Sequence, residues 1–132
     1  MKPVALGQSH TYRVETTHAH TADALGNKGM TVIATPILIG FLELAAHGCI
    51  EPQFEPGEGS VGTFVNVRHL AAAPAGAVVE ATATVTEVAG RQVTFAVTAK
   101  WNDTLLMEGT HGRAVVNLAR FFARLGMTPP PT

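Results

Sequence analysis

From Ala77 to Glu87 and again from Arg91 to Trp101, apolar and polar residues alternate along the chain. Val79, Ala81, Ala83 and Val85 interleave with Glu80, Thr82, Thr84 and Thr86, and Val93, Phe95, Val97, Ala99 and Trp101 interleave with Gln92, Thr94, Ala96, Thr98 and Lys100. A period of two belongs to strands with one buried face, and Ala89-Gly90 between the runs predicts a hairpin. Asn102-Asp103 predicts a second turn. It leads into a last strand over Leu105 to Leu118, in which Gly109 and Gly112 predict a bulge or a close backbone approach. Ala119 to Gly126 reads as a short helix or frayed extension, followed by a proline-rich tail. Upstream, Ser60 to Leu70 alternates with Thr63, Val65, Val67 and His69 on the face expected to point inward. Ser9 to Thr17 has strand composition with Tyr12 and Val14 on one face, and Glu51 to Ser60 reads as a loop.

Thr31 to Cys49, TVIATPILIGFLELAAHGC, breaks this pattern. It is apolar nearly throughout, with Glu43 as its one formal charge, and reads as a helix hydrophobic all round and hence buried. Thr35-Pro36 predicts its start, with threonine as N-cap and proline at the first helical position. A strand, a helix and then four strands joined by short turns give an α+β fold: one long central helix wrapped by a curled antiparallel sheet of about five strands. No linker or internal repeat divides residues 1–132, which reads as a single domain.

Composition adds few constraints. Hydrophobic residues make up 46% and charged residues 14%, which excludes disorder and predicts apolar surface covered by a second subunit. A net charge of −1 predicts no nucleic-acid partner. The apolar run is broken by Glu43 and His47, so no membrane span is expected. The single cysteine, Cys49, and an N-terminus that turns polar early fit a cytoplasmic protein. Phosphate-loop and nucleophile-elbow glycine motifs are absent.

The chemistry gathers at a few residues. A carboxylate in an apolar helix is expensive unless paired or used, so Glu43 is the strongest candidate, with its ionisation expected to be perturbed by desolvation. His69 is expected to point inward at a strand end. Thr35 lies at the positive end of the helix dipole, ~12 Å along the axis from Glu43: the two address one cleft without touching. His47, at i+4 from Glu43, is expected to favour the helix C-terminus. His111 reads as an ordinary cross-strand residue, and Cys49 as a small buried hydrophobe. His18 and His20 read as loop residues; no third ligand lies near, and no metal site is expected.

Three segments, ATPILIGFLELAA, EPGEGSVGTFVNVRHLAAAPAG and EGTHGRAVVNLARF, resemble the fluoroacetyl-CoA thioesterase-like branch of the hotdog-fold thioesterases across residues 32–121. The resemblance implies a hotdog fold, a homodimer or a tetramer of such dimers, and hydrolysis of a short- or medium-chain acyl-CoA, with CoA as part of the substrate and no separate cofactor. It implies Thr35, Glu43 and His69 as the catalytic set, and Gly62 and Arg113 as substrate-binding residues. Glu43 would be general base or nucleophile, and His69 would help protonate the leaving thiolate. Backbone N–H groups at the helix N-terminus would meet the oxyanion. Ile33, Ile37, Phe64 and Val65 would line the acyl site, and Arg68, Arg91 and Arg120 are cations available to the CoA phosphates. Pro36, and the absence of phenylalanine from Gly26 to Thr31, depart from the fluoroacetyl-selective type. Two other readings are a non-catalytic acyl-CoA-binding dimer and a hotdog dehydratase.

Overall fold

The computed structural model describes residues 1–129; the end of the proline-rich tail, residues 130–132, lies outside them. Five strands form one antiparallel sheet: β1 (Ser9–Glu15), β2 (Glu58–His69), β3 (Val78–Ala89), β4 (Gln92–Trp101) and β5 (Thr104–Asn117), in the order β1-β3-β4-β5-β2. The helix α1 (Thr35–Ile50) lies on one face of the sheet, and the short helix α2 (Leu118–Arg124) follows β5. Two single 3-10 turns, His18–His20 and Glu51–Gln53, complete the elements. No helix among the described residues is long and apolar enough to cross a membrane.

The β3–β4 hairpin forms as the alternation predicts, with Ala81 opposite Ala99 and Ala83 opposite Val97. The second turn is carried by Asn102, at φ 52°, a left-handed conformation that asparagine tolerates. Small residues on the inner face decide where the helix rests. Ala81, Ala83 and Ala99 are fully buried, and their short side chains leave room for Leu38, Leu42 and Ile50 from α1, each buried to 1% exposure or less. Burial of each such side chain is worth ~1.5–3 kcal/mol.

Two expectations about α1 are corrected. The helix is buried on one face only: Leu44 is 48% exposed and the Glu43 side chain 40% exposed. A single sheet layer covers a single helix face, and no other element among the described residues lies over the far side. The N-cap is Ala34, not Thr35, which is already helical. The Thr35 hydroxyl is thereby free for another partner.

The β2–β5 pairing depends on glycine. A Cβ on Gly109, which sits at φ +157°, would lie 2.1 Å from the Asn66 carbonyl oxygen, and one on Gly112 would lie 2.2 Å from the Phe64 ring. β2 is bulged between Gly62 and Phe64, which breaks the simple alternation read from the sequence. Phe64 and Val65 are 46% and 38% exposed, and β2 forms one open edge of the sheet. Gly109→Ala is expected to destabilise the protein by about 1–3 kcal/mol through overpacking, measured by urea unfolding; an unchanged midpoint would show that the two strands can part without cost.

Candidate active site

The Thr35 hydroxyl and His69 Nδ1 lie 2.8 Å apart, joining the first turn of α1 to the last residue of β2. Both residues are solvent-exposed. The N-terminal donors of the helix are fewer than the sequence suggests. Ile37 and Leu38 N–H both donate to the Ala34 carbonyl, and Pro36 has no N–H. The Thr35 N–H has no acceptor among the described residues, so it is the donor available at the positive end of the dipole.

Two turns along the helix, Glu43 reaches the sheet at Gly62 and Arg113, which face each other across β2 and β5. Glu43 Oε2 lies 3.4 Å from Arg113 Nη1 and 2.6 Å from where a Cβ on Gly62 would stand. Only glycine lets the carboxylate come this close to the strand. The carboxylate is half-exposed, contrary to the desolvation expected for it, because it sits on the helix face that the sheet leaves bare.

The Arg113 side chain is 9% exposed, and each of its nitrogens has a partner. Nε donates to Ser60 Oγ at 2.8 Å, Nη2 to the Ser60 carbonyl at 3.1 Å, and Nη1 to Glu43 and to His111 Nε2 at 3.2 Å. Burial pushes its pKa down from the usual arginine value, and Glu43 opposes that shift. The partners of His111 fix its tautomer. Its Nδ1 lies 2.8 Å from the Phe64 carbonyl, which only accepts, so Nδ1 carries the proton and Nε2 accepts from Arg113. Burial lowers its pKa below the usual 6.5, and Arg113 acts in the same direction against the Phe64 carbonyl and Glu43.

Ser60 extends the network. Its Oγ accepts from Arg113 and lies 2.7 Å from His47 Nδ1, while His47 Nε2 lies 3.0 Å from Glu51. His47 therefore pairs with Glu51 and Ser60 rather than Glu43. Above these groups an open groove of about 590 Å³ runs along the bare side of α1, lined by Tyr12, Ile37, Phe41, Glu43, Leu44 and Arg113 among others.

The structure therefore gathers the predicted residues as two clusters, Thr35 with His69 and Glu43 with Gly62 and Arg113. The sequence reads His111 as an ordinary cross-strand residue, whereas it is buried to 1% exposure and meets Arg113; Ser60 is not singled out by the sequence. The signal for His111 lay in its even spacing from Arg113, which puts both on one strand face. Ile33 is a core residue, 1% exposed, and does not line the groove; Ile37 does. Cys49 is buried, as expected, with its thiol pKa pushed up by desolvation. His18 pairs with Asp23 at 3.1 Å, and His20 Nδ1 accepts from the Thr17 N–H.

The profile of the fluoroacetyl-CoA-specific thioesterases matches residues 16–119. The chain belongs to that family. A fluoroacetyl-CoA thioesterase from Streptantibioticus cattleyicolor is 39% identical over 99 residues, covering 75% of this chain and 71% of that one. The solved structure of the fluoroacetyl-CoA thioesterase FlK superimposes with a TM-score of 0.89 at 32% identity, over 95% of this chain and 97% of that one. A Thermus thermophilus thioesterase superfamily member superimposes with a TM-score of 0.87 at 29% identity, over 96% of each chain. The helix-on-curled-sheet architecture is thus the hotdog fold, and the reaction class of the family is thioester hydrolysis on acyl-CoA.

A neutral His111 has a consequence for pH. Its folded pKa is depressed, so its contribution to stability is complete above about pH 6.5 and is lost as pH falls through the folded value. His111→Gln keeps one donor for Phe64 and one acceptor for Arg113 but does not titrate. Thermal midpoints of the two proteins are expected to diverge as pH drops below about 6.5, the wild type losing more; parallel curves would show that His111 is not held neutral.

Proposed function

We propose that the protein is an acyl-CoA thioesterase acting on a short or medium acyl group, with Thr35, Glu43 and His69 as catalytic residues and Gly62 and Arg113 as substrate-binding residues. The observation that carries this reading is the pairing of Thr35 with His69 at 2.8 Å beside the Thr35 N–H, which has no acceptor among the described residues, on the same helix as an oriented carboxylate that lines the open groove. A thioester needs an oxygen nucleophile, a donor for the developing oxyanion and a proton for the leaving thiolate. Glu43 supplies the first, by deprotonating a water or by direct attack. The Thr35 N–H and the helix dipole supply the second. His69, hydrogen-bonded to the Thr35 hydroxyl, supplies the third. Protein side chains and water suffice, with CoA entering as part of the substrate. The groove wall of Tyr12, Ile37, Phe41 and Leu44 is apolar, and Pro36 also lines it, which suits an acyl chain without a polar substituent.

The reading requires two copies of the chain. Eight residues of helix hold Thr35 and Glu43 ~12 Å apart, too far to act on one carbonyl. The β2 edge is long, open and apolar at Phe64 and Val65, which is a template for strand pairing. Antiparallel self-pairing of β2 about a twofold near Val65, midway between His69 and Gly62, brings the Thr35–His69 pair of one protomer toward Glu43 of the partner subunit. The bare face of α1, with Leu44, lies on the side such a partner covers.

Two experiments test this. In a panel of acyl-CoAs from acetyl to long-chain and aryl, with free thiol detected, Glu43→Gln and His69→Ala are each expected to lose at least ~100-fold in kcat while still folded. A wild type that binds acyl-CoA and releases no thiol would leave only the non-catalytic binding dimer. In a single turnover in ¹⁸O-labelled water, label recovered in the Glu43 carboxylate shows attack by Glu43, since direct attack by water places the label only in the product acid. The second experiment mixes Glu43→Gln with His69→Ala subunits. Each mixed dimer then holds one intact site, and about a quarter of wild-type activity returns at random exchange. No recovery on subunit exchange would place each complete site within one protomer.

A further inference from the structure

Four side chains close a ring across the helix and the sheet. Glu43 of α1 meets Arg113 of β5 at 3.4 Å, and Arg113 Nε donates to Ser60 Oγ of β2 at 2.8 Å. Ser60 Oγ in turn lies 2.7 Å from Nδ1 of His47, one turn beyond Glu43 on the same face of α1. The proposed chemistry uses Glu43 and Arg113 and gives His47 and Ser60 no task. Yet the His47 ring is held from three sides: by Ser60 on Nδ1, by Glu51 on Nε2 at 3.0 Å, and by an edge contact with Phe54 at 5.5 Å between centroids.

Donor chemistry fixes the direction of each bond. The Glu51 carboxylate only accepts, so Nε2 of the neutral imidazole carries the proton and Nδ1 accepts. The Ser60 hydroxyl has one hydrogen, and His47 Nδ1 takes it. The lone pairs of Oγ are then turned to the Arg113 Nε–H. Ser60 Oγ has no other hydrogen-bond partner among the described residues. Without His47 its hydrogen loses that acceptor, and the side chain is free to leave the rotamer that faces Arg113.

The link to Glu43 is the one least able to absorb a shift. Charge-assisted N–H···O bonds run ~2.7–2.9 Å, whereas Arg113 Nη1 stands 3.4 Å from Glu43 Oε2. It is a single contact to a half-exposed carboxylate. Ser60 holds two of the three guanidinium nitrogens, Nε through its hydroxyl and Nη2 through its carbonyl. Loss of the hydroxyl half lets the guanidinium pivot on the other bonds, and the Glu43 carboxylate turns toward water. We propose that His47 is a positioning residue: through Ser60 it sets the aim of Arg113, and through Arg113 the orientation of Glu43 toward the thioester. The inference rests on the thioesterase reading for the role of Glu43, and on this ring of contacts for the rest.

His47→Leu and His47→Gln, compared in the intact protein, test this. Glutamine can accept from Ser60 and donate to Glu51 as the imidazole does, and leucine can do neither. In thiol release from the best acyl-CoA of the panel, His47→Leu is expected to lose about 10–100-fold in kcat, the scale of a misplaced catalytic group. The Ser60 carbonyl and His111 keep Arg113 in its pocket, so KM is expected to change little. His47→Gln is expected to recover most of the loss. His47 also lines the groove, so a loss carried by KM would make it a substrate contact and overturn the proposal. Full kcat in the leucine variant, or no rescue by glutamine, overturns it too. A second readout needs no turnover. In ¹⁵N NMR spectra the Arg113 Nε–H, buried and bonded to Ser60, is expected to exchange slowly with solvent in wild type and His47→Gln, and at least about tenfold faster in His47→Leu. Equal exchange in all three proteins overturns the positioning role. Should no acyl-CoA be hydrolysed while the exchange responds as expected, the enzyme reading falls and the control of Arg113 by His47 stands.

Discussion

A buried guanidinium governs the arrangement around the groove. Arg113 lies almost wholly out of water, and a desolvated cation is tolerated only when its donors are met and its charge is answered. Ser60 provides two acceptors, His111 a third and Glu43 the counter-charge. These partners come from β2, β5 and α1, so one side chain ties the open edge of the sheet to the helix. The requirement propagates. His111 must stay neutral to accept from Arg113: burial and the Arg113 charge hold it neutral, and the Phe64 carbonyl, accepting from Nδ1, fixes the tautomer that leaves Nε2 free. Position 62 must be glycine for Glu43 to reach the cation. Ser60 must accept from Arg113 while its own hydroxyl is turned to His47.

This network explains why Glu43 is both oriented and accessible. A carboxylate sunk in the core would be held rigidly but could not meet a substrate. One in open solvent would be free to rotate. Here one oxygen faces Arg113 from the helix side that the sheet does not cover, and the side chain keeps 40% of its exposure. The buried half of the ion pair belongs to the arginine, which remains protonated under nearly all conditions, so the cost of desolvation falls on the group least able to escape it by losing its proton.

The sheet was the most legible part of the sequence, because a period of two is a direct image of a strand with one wet face. The β3–β4 hairpin, the Asn102 turn and the glycines of β5 follow from that image. β2 was read less well, since its bulge after Gly62 shifts which residues share a face and leaves Phe64 and Val65 on an open edge. The helix was legible as a helix and misread as buried all round: composition records that a face is apolar, not whether this chain or another copy covers it. Glu43, Thr35 and His69 stood out by type and position, and Gly62 and Arg113 by family resemblance. His111 and Ser60 did not: even spacing puts His111 on one face of β5 with Arg113, but the roles of both residues arise from pairing across β2 and β5, which a linear pattern does not contain.

The spacing of the catalytic candidates carries a further constraint. Helices are stiff at the scale of two turns, so eight residues between Thr35 and Glu43 fix a separation of ~12 Å whatever surrounds them. Side-chain rotation does not close that gap, because each residue is already engaged: Thr35 with His69, Glu43 with Arg113. A thioester reacts at three adjacent atoms, and its nucleophile, oxyanion donor and proton source must each lie within reach of the carbonyl carbon, its oxygen and the sulfur. Under the proposed roles, a single copy with these contacts intact would hold two partial sites. A twofold that pairs β2 with itself reverses the order of the clusters in the second copy, setting the Thr35–His69 end of one against the Glu43 end of the other. Under the proposed chemistry the apolar edge at Phe64 and Val65, the bare side of α1 and the separation of the two clusters become consequences of one requirement, that the active site be closed by a second copy of the chain.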